Sequence, residues 1–170
     1  YTTPTNFVTH IPEDVRTQDL MDTSIYNTSG FFSWYADIDF PNPGDNFIYY
    51  AKLPGYFDND VWAFTRGIKL TGGKTYKLKF SYMSFYYYNP GELGSLEVKY
   101  GTGAGLRGMN SGLLFRKEDI DSNDPLTDTT IEFTPAHSDV YYFGFHDFTA
   151  ANEGSPIIVN VLVNEKETIP

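Results

Sequence analysis

The chain of 170 residues contains three imidazoles, His10, His137 and His146, and no cysteine. No two histidines stand at the i, i+4 spacing of a helical zinc site. His137-Ser138-Asp139 and His146-Asp147 set a base beside an acid. Catalytic triads, however, are assembled from separated segments and recognised by their geometry. No Gly-x-Ser-x-Gly nucleophile elbow occurs. Without cysteine there are no thiolate nucleophiles, disulfides or zinc ribbons. Asp and Glu number 22, which supplies many carboxylate pairs for glycoside hydrolysis, but spacing singles none of them out. Every catalytic signature that sequence can test is missing, and the expectation is a chain that is not an enzyme.

Two motifs look like sites and fail on context. Gly103-Ala104-Gly105-Leu106-Arg107-Gly108 matches G-x-G-x-x-G after a strand-like run. A dinucleotide needs that motif to open a helix inside a parallel βαβ unit. Asn110, Ser111 and Gly112 would spoil such a helix. Asp119-Ile120-Asp121-Ser122-Asn123 opens like a calcium loop, yet Asp124 and Thr130 occupy the positions where an EF-hand needs Gly and Glu. The reading there is an exposed acidic loop.

The net charge of −10 argues against nucleic acid, because affinity for phosphate backbones comes from basic residues that release counterions. Anionic membrane surfaces are disfavoured for the same reason. No apolar run approaches the ~18 residues of a membrane span, so no membrane insertion is expected. The chain opens at Tyr1 without a basic segment and apolar run, as expected if a signal was removed or if this is a portion of a longer polypeptide. An acidic domain suits a protein or sugar partner, or divalent cations.

The elements that would carry such a surface are strands. Phe and Tyr number 14 each, with two Trp, 15 Gly and 10 Pro: a composition of pleated segments punctuated by turns. Residues 1–28 read as a lead-in or linker, and 29–170 as one β-sandwich binding domain. Strands are expected at 31–36, 46–51, 60–64, 76–82, 96–100, 131–133, 140–145 and 157–163. Only 105–120 is ambiguous with helix. Alternation is clearest where Tyr76, Leu78, Phe80 and Tyr82 share one face and Lys77, Lys79 and Ser81 the other. Short strands bounded by Gly, Pro, Asn and Asp predict an all-β antiparallel sandwich.

That same strand runs into Met83-Ser84-Phe85-Tyr86-Tyr87-Tyr88. By period two, Met83, Phe85 and Tyr87 fall on the face that is polar earlier. Either a neighbouring loop covers them, or they form a platform on which a sugar ring stacks. In the second case Phe85, Tyr87, Asn89 and Glu92 are the ligand-binding residues. Trp34 and Trp62 read as core anchors.

The stretch from Asp58-Asn59-Asp60-Val61-Trp62 through Ile68-Lys69-Leu70 to Gly73-Lys74-Thr75-Tyr76-Lys77-Leu78-Lys79-Phe80-Ser81-Tyr82 resembles the cleaved adhesin or choice-of-anchor J domains of Bacteroidetes surface and secreted proteins. The resemblance extends through Leu96–Thr102, Tyr141–His146 and Ile157–Val161, and covers about residues 30–164. It implies a jelly-roll sandwich like galactose-binding and MAM modules. It also implies a non-catalytic extracellular or cell-surface role, within a longer chain that carries other domains. The partner would be a host or matrix protein; the alternative is a carbohydrate-binding module that tethers a glycan-using system. Some relatives hold calcium through acids near the Trp motif and an Asp in the last strand. Asn160 stands at that last position here, and Asp37, Asp39, Asp58 and Asp60 are the remaining candidate Ca2+ ligands.

Overall fold

In a computed structural model, the structure describes the backbone of residues 34–38 and 46–50 and all of residues 58–65, 67–103 and 105–166. The expected lead-in at 1–28 lies outside them. Among the described residues ten strands occur in chain order: β1 (Trp34–Ile38), β2 (Asn46–Tyr50), β3 (Val61–Phe64), β4 (Ile68–Leu70), β5 (Tyr76–Phe85), β6 (Leu93–Gly101), β7 (Gly112–Asp121), β8 (Thr127–Phe133), β9 (Asp139–Asp147) and β10 (Ser155–Glu165). One sheet runs β1-β2-β10-β5-β8. The other runs β3-β9-β6-β7, with β4 beside β3 on the same strand, β9. Every pairing is antiparallel. The result is an all-β sandwich of jelly-roll type. Among the described residues no helix is long and apolar enough to cross a membrane.

The alternation of β5 is realised in full: Tyr76, Leu78, Phe80 and Tyr82 are buried, while Lys77, Lys79 and Ser81 are half-exposed. Opposite them stand Leu96, Val98 and Tyr100 of β6 and Tyr141, Phe143 and Phe145 of β9. The rings lock at right angles where the sheets meet, with Phe80 edge-on to both Phe115 (5.3 Å, 87°) and Phe145 (5.8 Å, 86°). Each such aromatic taken fully out of water contributes roughly 1.5–3 kcal/mol.

Two regions differ from expectation. Residues 105–120 contain no α-helix; Leu106–Gly108 form one 3-10 turn and Gly112–Asp121 a ten-residue edge strand. The exposed charges of β7 hid its period: Arg116–Asp119 are exposed on both faces of the strand. In β10 the register shifts between Val159 and Leu162, and Asn160 takes a positive φ of 52°, a conformation asparagine tolerates better than most residues. This bulge resets the phase of the strand. Ile158 and Val161 both reach the main core, while Ile157 and Val159 face outward into a second apolar cluster.

Candidate functional site

The expected platform begins in that second cluster. Met83 and Phe85 do lie on the outer face of β5, where they pack with Leu126 against the wholly buried Ile157 and Val159. Covering, rather than stacking, accounts for the switch from lysine to aromatic along this face. The strand ends at Phe85, so period two no longer governs the residues beyond it. Tyr87 is half-buried, whereas Tyr86 and Tyr88 are 50% and 67% exposed.

What shapes the connection from β5 to β6 is Glu92. Its carboxylate accepts the backbone N–H of Tyr87 (2.7 Å), Tyr88 (3.1 Å) and Asn89 (2.8 Å), and the residue is 9% exposed. Three amides converging on one anion form a concave nest, and charge-assisted bonds of this kind are stronger than neutral ones. The amide of Gly91 donates to Ser122 Oγ at 2.8 Å, and Gly91 takes a φ of 94° that other residues adopt only under strain. Ser122 N–H in turn donates to the Glu92 carbonyl at 3.0 Å. Glu92 is thus a buried strut of the turn, and Asn89 an exposed residue on it.

A second polar constellation crosses the outer face of the other sheet. Trp62, His146, Glu97 and Arg116 stand opposite one another on β3, β9, β6 and β7. The imidazole lies flat on the indole (4.2 Å, 5°). Its Nδ1 meets Glu97 Oε1 at 2.8 Å and its Nε2 meets Asp60 Oδ1 at 2.7 Å, so that a carboxylate faces each ring nitrogen. Arg116 donates to Glu97 at 2.7 Å and to Glu118 at 2.8 Å, with its guanidinium 4.1 Å from the Phe148 ring centre. Burial raises the pKa of Glu97, but hydrogen bonds from His146 and Arg116, with the nearby charges of His146 and Lys99, outweigh it and hold the carboxyl below its ordinary value. Trp62 is buried as expected, but on this outer row rather than between the sheets. Gly144 lies beneath Phe64, where a Cβ would stand 2.9 Å from that ring and 3.0 Å from Met109 Sδ.

Of the expected calcium ligands, Asp58 accepts the N–H of Ala151 at 2.9 Å and Asp60 holds His146. Asn59, between them, donates to the buried Asp147 at 2.9 Å. The two acids therefore serve different partners, and among the described residues no three His, Cys, Asp or Glu side chains group as a metal site. Asp39 and the side chain of Asp37 lie outside the described residues. Asn160 sits at the bulge of β10. The glycine-rich connection after β6 opens no α-helix, and the acidic stretch at 119–123 is not a loop throughout: residues 119–121 end β7, and Ser122 and Asn123 begin the turn to β8.

No protein-family model matches the chain, and none of the curated proteins matches it. Among solved structures, the K1 cleaved adhesin domain of Lys-gingipain from Porphyromonas gingivalis aligns over 98% of this chain and 96% of its own, with a TM-score of 0.59 and 14% identity. The chain is similar to a cleaved adhesin domain. The N-terminal cellulose-binding domain of Cellulomonas fimi β-1,4-glucanase C aligns over 80% of this chain and 90% of its own (TM-score 0.52, 15% identity). The CBM22-1–GH10 modules of Clostridium thermocellum xylanase 10B, solved with xylohexaose, align over 82% of this chain and 25% of theirs (TM-score 0.51, 14% identity). At these identities the likeness is one of fold, and at that level it bears out the resemblance to cleaved adhesin domains.

Within this adhesin-like fold, two groups escaped the sequence reading. Among the described residues the exposed rings are Tyr86 and Tyr88, one residue out of phase with the expected set. Pro90-Gly91 was the signal that the strand must stop early. The row through His146 had no local signature at all, because its members come from four strands.

Proposed function

We propose that this chain is a non-catalytic binding module of an extracellular or cell-surface protein, an adhesin-type domain that engages a protein or glycan. The observation that carries this reading is the contrast in what is occupied. His146, Glu97 and Glu92, the described groups best suited to acid–base work, are held by internal partners. The exposed side chains of the connection from β5 to β6 are instead two aromatic rings, an amide and a proline. General acid–base chemistry needs a titratable group within hydrogen-bonding reach of a substrate, and binding needs only a surface. The cleaved-adhesin and carbohydrate-binding neighbours support the same reading through their shared fold, although a fold hosts more than one function.

The test is direct. The protein incubated with glycoside and peptide panels should give no turnover, while immobilised matrix proteins or polysaccharide gels should retain it. Turnover that disappears in Glu97→Gln or Asp60→Asn would overturn the proposal. The glycan alternative is favoured by the exposed Tyr86 and Tyr88.

A further inference from the structure

Three connections meet at one end of the sandwich: 86–92, 122–126 and 148–154. The first two are joined through Ser122, and Leu93 links the first to the third by donating to Glu153 Oε2 (2.7 Å) and accepting from Gly154 N–H (2.9 Å). Asn123 lies against the turn, its Nδ2 3.5 Å from where a Cβ on Gly91 would stand. Each connection exposes one asparagine: Asn89, Asn123 and Asn152. Tyr86 and Tyr88 supply the exposed rings. None of the three connections contains Lys, Arg or His. Among the described residues the large exposed aliphatic side chains, Leu106 and Leu113, lie at the other end of β6.

We infer that this loop end is a binding site for a neutral glycan, with Tyr86 and Tyr88 as stacking surfaces and Asn89, Asn123 and Asn152 as hydrogen-bonding partners. The inference rests on the binding-module reading and names its ligand class. A sugar offers an apolar C–H face and a rim of hydroxyls that both donate and accept. Aromatic faces match the first, and amides, which also donate and accept, match the second. A ligand bearing carboxylate, sulfate or phosphate would meet Asp124 and Glu153, and the three connections themselves carry no cation to offset them. Protein interfaces also use tyrosine, but the three connections lack the arginine anchors that accompany it there. The backbone bonds of Glu92 hold the turn before any ligand arrives, so little ordering is left for binding to do.

Affinity electrophoresis through gels containing xylan, mixed-linkage β-glucan or mannan tests the site, with polygalacturonate as the anionic control. The expected result is retardation by at least one neutral polysaccharide and none by polygalacturonate. The double variant Tyr86→Ala/Tyr88→Ala should bind at least about tenfold more weakly with an unchanged melting temperature, and Asn123→Ala should weaken binding with its fold intact. Full retardation of the double variant would place the site elsewhere and leave the binding-module reading standing. If no neutral polysaccharide retards the protein but immobilised fibronectin retains it, the glycan assignment fails alone. If neither retains it, both fail.

Discussion

Two carboxylates in this molecule each gather several donors, and they do so to opposite ends. Glu97 joins His146 and Arg116 across three strands of one sheet, and both are thereby held to an internal partner. Glu92 gathers three successive backbone amides of one turn, and Tyr86, Tyr88 and Asn89 of that turn stay exposed. In the first case charge cements a row of side chains and leaves nothing for a ligand. In the second it fixes the backbone so that rings can be presented without being held. A buried acid is therefore poor evidence of catalysis until its partners are counted.

The comparison breaks most sharply at Glu97. Replacing it by Ala leaves the largely buried His146 Nδ1 without its partner and frees one arm of the half-exposed Arg116, and should cost about 2–3 kcal/mol, chiefly from the buried imidazole. Chemical denaturation should show this loss, while retention on a neutral polysaccharide gel stays as in the parent protein. A parallel loss of binding would mean that the two regions are one site.

Glu92→Ala is the complementary change. Three amides lose their acceptor in a turn that water partly reaches, which should cost about 2 kcal/mol. Here binding should fall as well, although Tyr86 and Tyr88 are untouched, because the turn no longer presents them. Denaturation and gel retardation measured on the same sample check both halves.

The two regions also differ in how far the sequence revealed them. The inner faces were legible because Tyr76, Leu78, Phe80 and Tyr82 repeat every second residue, and burial of one face enforces that period. Strand β7 was not, since its residues Arg116–Asp119 are exposed and leave no alternation to detect. The aromatic run was read one residue out of step, because a period continues only while its strand does. The His146 row required the register of four strands, which is a property of topology rather than of any segment.

A smaller effect is expected from pH. The carboxyl of Glu97 is held below its ordinary value of 4.5, so the folded state binds its proton less readily than the unfolded chain. Its contribution is therefore present above about pH 4.5 and is lost as pH falls through the lowered folded value. Melting temperatures of the parent protein and Glu97→Gln, compared from pH 6 down to pH 3, should converge as the acid end is approached. A gap that stays constant would show that the row does not depend on that charge.

The smallest change in stability is expected where the largest change in binding is proposed. Tyr88 is 67% exposed, and its hydrogen bond to Glu92 comes from the backbone N–H, which Tyr88→Ala preserves. Truncation removes neither core contacts nor the acceptor of a buried donor, so stability should move by no more than about 0.5 kcal/mol. A ring kept two-thirds in water on a turn held by a buried carboxylate is not explained by folding, whereas an exposed aromatic on a preorganised backbone suits contact with a partner. Denaturation midpoints of parent and variant within error, beside a clear loss of retardation, would separate presentation from stability at this one residue. A drop of about 2 kcal/mol or more would instead make Tyr88 part of the fold, and the contrast between the two carboxylates would disappear.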